Sequence, residues 1–462
     1  MTSRHVSPRS VAIIVAEQAY ILTSLALFIA LDASSLGPRQ MIAQVGFAGL
    51  LYATTFYYCE LYDFSKLQLR QELLTAAVRA FSVLALIFGT LFLLTHWLPF
   101  RSTTILIHLL VTGAFVMLVR PQMHAFLTQH GVVTRIAVVG TGAEAQRLAT
   151  ETIRRPESGL EVCCFVSTGE QQDPIRLRTP NPGVRTFPVI ASSALADFAL
   201  QKRISRILVA TADLGNALPV DDLLRCKAEG YEVLDGHTFY ERLLGRLFVE
   251  DLSPHWLIFA GGFTRPAWLR VAKRTVDIIS ATLIAVFTAP LSLLVAILVK
   301  LDDGGPVLYR QMRVGRNGVP FSLLKFRSMR IDAEAESGPK WAEPDDSRVT
   351  RTGAWIRLLR IDEIPQAWNV LRGDMSFVGP RPERPEFLAE LRQAIPYYDL
   401  RHGIRPGITG WAQVNLPYGA TVDESRQKLE YDLYYLKNFS GLLDFFILAK
   451  TVKIILFGWG SR

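Results

Sequence analysis

Four long apolar runs open the chain, at residues 11–31, 41–58, 80–98 and 103–119, separated by short polar segments. Each approaches the roughly 20 residues a helix needs to cross hydrocarbon, so the pattern predicts a four-helix transmembrane domain over residues 1–125. From Thr134 the period changes. TRIAVVG reads as a short buried strand, GTGAEAQRLATETI as a helix opened by glycine, and EVCCFVS, SRILVATAD and YEVLD as further strands. This βαβ alternation predicts an α/β domain over residues 130–240. A linker with an aromatic tail follows at 241–272. A second kind of apolar stretch then runs from 276 to 299, long enough to cross a membrane but broken in the middle by Pro290, which removes a backbone donor and favours a kink. Beyond it come two strand-like pieces around the turn at 315–318, then mixed helical and loop sequence. The last run, LLDFFILAKTVKIILFG, carries Asp444, Lys450 and Lys453, which suits it better to lying among headgroups than to spanning.

Composition supports a membrane protein with soluble parts. Half the 462 residues are hydrophobic, the formal net charge is +8, and the length allows about three domains. Arg4, Arg9, Lys66, Arg70, Arg79 and Arg120 flank one end of the four runs and only Arg39 and Arg101 the other. This bias predicts a cytosolic N-terminus and a cytosolic chain after Arg120. The basic surplus is assigned to the anionic inner leaflet, with membrane lipids as partners and no nucleic acid. The first run lacks a small-residue cleavage pattern and is expected to remain as an anchor. Glu17, the lone acid in that run, is expected to be paired or to snorkel. The four cysteines, Cys59, Cys163, Cys164 and Cys226, have no metal-ligand spacing and read as buried thiols.

Gly140, Gly142 and Ala145 satisfy the loose glycine spacing in which a helix start could receive a pyrophosphate. Glu161 lies about 20 residues on, but it starts the second strand where a ribose-binding acid should end it. A structural or regulatory Rossmann-like module is the favoured reading, with no cofactor bound there. Dinucleotide binding is the lesser alternative, and the cysteines imply no redox chemistry.

The most specific stretch is RLLRIDEIPQAWNVLRGDMSFVGPRPE, from Arg357 to Glu383. Asp362 and Glu363 precede Pro365, which fits a helix start, and Gly373 fits its end, so both carboxylates are expected at the positive end of a helix dipole and ionised. An isolated Asp-Glu pair here would be a helix cap. Its surroundings argue for more: Arg310, Arg313, Arg316, Lys325, Arg327 and Arg330 form a dense basic stretch, and Arg265, Arg270, Lys273 and Arg274 precede the broken apolar run. Cations beside a carboxylate pair and a membrane segment suit diphosphate and lipid phosphate.

This stretch resembles the signature of the bacterial polyprenyl-phosphate hexose-1-phosphate transferases. The resemblance covers about the last 190 residues, including KRTVDIISATLIAVFTAPLSLLVAILVKLDDGGPVLYRQMRVGRNGVPFSLLKFRSM and RHGIRPGITGWAQVN. The order of the whole chain is similar to the large, multi-domain branch. What the resemblance implies is a C-terminal α+β catalytic domain at 273–462, with a helix at 275–300 that enters the membrane and returns at Ala289 and Pro290. Many relatives have Ser-Pro at that break; here the freed backbone groups need another partner, such as Thr288 or Ser292. The family's chemistry implies Asp362 as nucleophile on a UDP-hexose donor, expulsion of UMP, a phosphosugar-aspartyl intermediate and its resolution by undecaprenyl phosphate. Glu363 would hold Mg²⁺. Lys325, Arg327, Arg357, Arg381 and Pro382 match positions linked to the site. Arg405 and Trp411 would border it or fix a loop, Asp432 is a weaker candidate, and Arg360 stands where many relatives carry Ser or Thr. The implied setting is the bacterial inner membrane, at the first membrane step of exopolysaccharide or O-antigen synthesis. Downstream glycosyltransferases and a homodimer through the middle domain are the expected partners. The sugar itself is not readable, with glucose and galactose ahead of N-acetylated sugars.

The rival reading is a membrane-anchored NAD-dependent nucleotide-sugar epimerase or dehydratase. Its Tyr-x-x-x-Lys pattern occurs only as Tyr62 and Lys66, between two apolar runs and before the glycine turn, which is the wrong order.

Overall fold

A computed structural model describes residues 8–32, 37–62, 70–94, 102–130, 133–167, 169, 173–179, 183–210, 218–250, 254–331, 348–417 and 421–457. Arg4, Lys66 and Arg101 lie outside the described residues. The chain divides into two compact units, one ending at Phe239 and the other starting at Tyr240.

The first unit begins with four helices, Pro8–Asp32, Pro38–Tyr58, Arg70–Leu94 and Ser102–His130. The first packs against the second and fourth, and the third also packs against both. Three contain segments long and apolar enough to cross a membrane, Val11–Leu31, Gln71–Leu93 and Ile105–Met123. The expected fourth, Pro38–Tyr58, has the length, but Gln40, Gln44 and its tyrosines lower its hydropathy below that of a membrane span. The last helix continues past Arg120 and through Pro121. Arg120 is therefore no loop charge: it is buried 3.6 Å from the buried Glu17 and donates to the Leu61 carbonyl. Glu17 is paired, as its position in an apolar run requires.

Next comes a five-stranded parallel sheet in which Val189–Ala191, Leu160–Ser167, Thr134–Val139, Arg206–Val209 and Glu232–Asp235 lie side by side in that order. In chain order this is 3-2-1-4-5. Helices Ala143–Ile153, Leu195–Lys202 and Val220–Ala228 join the strands. The central strand buries all of Ile136 to Val139, as expected of a parallel strand covered on both faces. Ala137, Val139, Cys164, Val166, Ile207 and Cys226 share one core, which accounts for the apolar runs and for two cysteines. The hairpin Ile175–Thr179 with Gly183–Phe187 is additional to the predicted alternation.

In the second unit, helix Ala267–Phe287 and helix Ala289–Asp303 meet at Thr288 with a bend of 61°. Pro290 supplies the break, and the Thr288 hydroxyl donates at 2.7 Å to the Ile284 carbonyl, which also accepts from Thr288 N, so the hydroxyl is not spent on the carbonyl that Pro290 leaves unbonded. Gly304, in the left-handed region, ends the second helix. An antiparallel hairpin follows, Leu308–Val314 with Pro320–Phe326. The main core gathers Leu391, Tyr398, Trp411, Leu429, Leu433, Tyr435 and Ile447 from the later helices and loops. Leu247 and Val249, from the stretch expected to be a linker, are buried in the same core, and Glu241 bonds Lys437 and Asn438. That stretch is thus built into this unit at its start, where Leu243, Leu244, Leu247 and Val249 are buried, while Ile258 and Phe259 further on are exposed. In the helix Gly441–Phe457, Leu443 and Ile447 face inward while Leu442, Phe445, Val452 and Ile455 are exposed.

Gly140 has φ +114°, and a Cβ there would lie 2.4 Å from the Ala210 carbonyl oxygen. Gly140→Ala should therefore destabilise the middle sheet by about 1–3 kcal/mol. Thermal unfolding of the full chain followed by protease protection would measure this, and an unchanged midpoint would contradict the assigned strain.

Candidate active site

Helix Arg351–Leu358, capped by the Thr350 hydroxyl, ends where Arg360 turns into the left-handed region with φ +53°. That reversal folds Ile361–Glu363 into one tight turn and starts helix Gln366–Arg372 directly behind it. Pro365 and Gly373 stand at the two ends of this helix, Gly373 with φ +94°. The turn presents Asp362 and Glu363 toward the strand Pro320–Phe326. Asn369, fully buried, holds helix and strand together: its Oδ1 accepts from Leu324 N at 3.0 Å and its Nδ2 donates to the Ser322 carbonyl at 2.8 Å. It thereby satisfies the outward backbone groups of a strand edge that would otherwise lack partners. Nothing in the sequence singled out Asn369; its spacing from the carboxylates on the next helix turn is the one available signal.

This clamp brings Lys325 to the carboxylates. Lys325 Nζ lies 2.9 Å from Glu363 Oε1 and 3.7 Å from Asp362 Oδ2, and Arg381 Nη2 lies 3.5 Å from Glu363 Oε1. Burial pushes Asp362 above the ordinary carboxylate value. Lys325 is the largest influence opposing that rise, Glu363 adds to it, and Arg357 and Arg381 pull it down. Burial also acts to raise Glu363, but Lys325 and Arg381 outweigh it and hold this carboxyl at about 2. Both acids stand before the start of that helix, as expected, and Asp362 is shifted up while Glu363 is shifted down. The helix has seven residues and the acids precede it, so the neighbouring cations and burial set the two acids apart.

The other predicted residues divide. Arg357 belongs with the carboxylates, and its Nη1 is buried without a hydrogen bond. Arg327 is buried, with its guanidinium in the space a side chain at Gly305 would take. Pro382 carries a carbonyl that accepts from Arg313 at 3.0 Å. Arg405 is not joined to the acids: its Nε donates to the Gly373 carbonyl at 2.8 Å, at the far end of the helix. Arg274 caps the same end through the Val370 and Leu371 carbonyls. Trp411 is buried and donates to the Gly245 carbonyl at 2.7 Å, so it fixes its loop. Asp432 is buried 2.8 Å from Arg401, and burial, opposed by Arg401, pushes it up to about 6. In the middle domain Glu161 pairs with Arg135 and Arg185, away from a ribose-binding role. Tyr62 is bonded to Gln18, and its would-be partner Lys66 is outside the described residues.

The VGPRP segment owes its position to glycine. Strands Ser376–Val378 and Gly407–Thr409 run parallel, and a Cβ on Gly379 would meet the Arg405 carbonyl at 2.4 Å, while one on Gly407 would meet Gly379 N at 2.1 Å. The two motifs need this close approach of backbones, which aims Arg381 at Glu363.

Residues 268–458 match the family described as bacterial sugar transferase. The chain is 43% identical to a UDP-glucose:undecaprenyl-phosphate glucose-1-phosphate transferase of Caulobacter vibrioides over 213 residues, 45% of this chain and 79% of that protein. The chain belongs to the bacterial sugar transferase family. It is also 43% identical over 240 residues to a UDP-N-acetylgalactosamine-undecaprenyl-phosphate N-acetylgalactosaminephosphotransferase of Aeromonas hydrophila, 52% of this chain and 56% of that protein. With an undecaprenyl-phosphate glucose phosphotransferase of Komagataeibacter xylinus it shares 33% over 333 residues, 70% of this chain and 59% of that protein. The chain thus spans little more than half the length of these last two sugar transferases.

Among the described residues no three His, Cys, Asp or Glu side chains form a metal cage. Mg²⁺ does not need one, since one or two carboxylates together with substrate phosphates commonly hold it. Glu363, held ionised beside Asp362, offers hard oxygen donors of that kind. Lys325→Met removes the largest charge opposing the rise of Asp362, so that carboxyl should titrate at higher pH. Carbon NMR of aspartate-labelled protein would follow it; an unchanged or lower value would contradict the assigned geometry.

Proposed function

We propose that the chain transfers a hexose 1-phosphate from a UDP-sugar to undecaprenyl phosphate, releasing UMP. The observation that carries this reading is a buried acid pair facing Lys325, Arg357 and Arg381, with a buried Arg357 nitrogen that an anionic ligand could engage. Asp362 Oδ attacks the β-phosphorus of the donor. The bond from that phosphorus to the oxygen bridging the α-phosphate breaks, UMP departs with that oxygen, and the phosphosugar rests on Asp362. A phosphate oxygen of undecaprenyl phosphate then attacks the same phosphorus and the Asp362 carboxylate leaves, giving a lipid-linked diphosphosugar. Burial removes water from around Asp362 and raises its carboxyl, while Lys325 opposes that rise and favours the carboxylate form that attacks. Lys325, Arg357 and Arg381 bind and orient the donor's phosphates through charge-assisted hydrogen bonds. Mg²⁺, held by Glu363 with Asp362, would neutralise diphosphate charge when bound. The names of the relatives support glucose or N-acetylgalactosamine as the sugar.

The bent helix pair Ala267–Asp303 supports a hairpin that enters the membrane and returns, keeping the chain after Gly304 on the side it left. We assign that side to the cytosol of a bacterial inner membrane, where nucleotide sugars are made. The exposed apolar face of Gly441–Phe457 suits the headgroup layer. The 3-2-1-4-5 strand order supports a Rossmann-like middle domain, to which we assign assembly or regulation.

Purified protein given labelled UDP-sugar without lipid acceptor should retain label on Asp362, and Asp362→Asn should lose UMP release by about 10³-fold or more. Absence of label at Asp362 during active turnover would favour direct transfer. Pro290→Leu should straighten the hairpin into a full crossing, making a cysteine introduced after Gly304 reactive from outside the cell; labelling that stays inward would count against the hairpin reading.

A further inference from the structure

A dense concentration of arginines in the second unit lies away from Asp362. Helix Gln366–Arg372 separates the two places by about 10 Å, at 1.5 Å per residue. At its carboxyl end, Arg274 Nη2 and Arg405 Nη2 lie 3.5 and 3.9 Å from the position a Cβ on Gly373 would take. Arg265 reaches the neighbouring loop, donating to the Gly403 carbonyl at 2.7 Å, and its Nε is buried without a hydrogen bond. Arg316, on the exposed turn between the two hairpin strands, is held close because that turn packs against Tyr398–Gly403. Arg270 projects exposed from the start of helix Ala267–Phe287.

Nearby carboxylates are already engaged. Asp277 accepts from Ser376 Oγ and Phe377 N, at 3.0 and 3.1 Å, and Asp444 is held by Lys273 at 2.7 Å and the Tyr435 hydroxyl at 2.6 Å. Among the described residues, Arg270 and Arg316 have no carboxylate partner. Burial lowers Arg265 and Arg405 from the ordinary arginine value, and Arg316 pushes both the same way, as do Arg270 on Arg265 and Arg274 on Arg405. Tyr435 and Asp277 oppose these effects on Arg265 and Arg405 respectively, and an anion among the guanidinium groups would relieve the repulsion that is left.

We propose that Arg265, Arg270, Arg274, Arg316 and Arg405 form a phosphate-binding site, separate from the Asp362 centre, at the base of the bent apolar helix pair. Guanidinium forks match phosphate oxygens in charge and shape. The location favours a phosphate at a lipid surface. Trp268 and Val271 beside the cluster are 70% and 65% exposed, an indole and an apolar helix face at the point where that helix leaves the domain. A phospholipid headgroup and free phosphate share this chemistry.

The test uses the full chain in a neutral detergent and reads its thermal unfolding midpoint. One titration uses inorganic phosphate at constant ionic strength; another uses short-chain phosphatidylglycerol, with short-chain phosphatidylcholine as control. A saturable rise is expected, and Arg316→Gln, at an exposed position that does not endanger folding, should raise the half-saturating concentration about tenfold or more. Arg265→Gln should do the same. Saturation by inorganic phosphate alone identifies a free-phosphate site, whereas a rise confined to phosphatidylglycerol identifies a headgroup site. Asp362→Asn and Lys325→Met should keep the response, so failure of sugar transfer and failure of this site are separable. No saturable rise with either ligand, or half-saturation unchanged in both arginine variants, overturns the proposal.

Discussion

One ammonium group makes the acid pair tenable. Two adjacent carboxylates cannot both be withdrawn from water without a counter-charge, and Lys325 Nζ, within 4 Å of both, supplies it. Its effect is unequal. Glu363 has the shorter contact and also faces Arg381, so it stays ionised, whereas Asp362 has the longer contact and burial wins. Two neighbouring carboxyls are thereby set apart, Glu363 held low and Asp362 raised. Truncating one partner of such a buried pair typically costs about 3–5 kcal/mol, which ties the stability of the site to the same contact that tunes it.

The remainder of the second unit serves to hold that contact. Asn369 joins the helix behind the acids to the strand bearing Lys325. Gly379 and Gly407 let two backbone segments approach closely enough to aim Arg381. Arg274 and Arg405 cap the far end of the helix, where its carbonyls lack partners. Arg274 is part of the bent apolar helix pair, and the core residue Asp277, one turn on, binds the strand leading to the GPRP turn. The bent apolar helix pair and the helix behind the acids are consequently joined, and a change in the path of the first is felt by the second.

The first unit solves a different problem with similar means. Among its apolar helices, Glu17 and Arg120 are buried together, and His108 is bonded to Tyr52 and Ser24. Polar groups in such a setting are retained only where they find each other, since neither water nor lipid can satisfy them. The parallel sheet that follows has both faces covered, which explains why its strands read as unbroken apolar runs.

Much of this was readable from the chain because it depends on local pattern. Apolar period and length located the helices of the first unit and most of the parallel strands. Pro290 marked the bend, Pro365 and Gly373 marked the helix behind the acids, and the block around Asp362 carried the family resemblance. What sequence could not supply was distance. Of six basic residues from Arg310 to Arg330 the resemblance marked Lys325 and Arg327 alike, and folding put Lys325 beside the acids, buried Arg327 against Gly305 and turned Arg313 to the Pro382 carbonyl. Arg405 and Trp411 looked alike as candidates, yet packing spent one on a helix end and the other on a loop carbonyl. Arg120 looked like a loop charge until a helix extended past it and paired it with Glu17, and the supposed linker became core. Patterns of polarity report which groups must leave water, a property of each segment alone; which partner compensates each buried charge depends on segments far apart in the chain, and only the packed fold decides it.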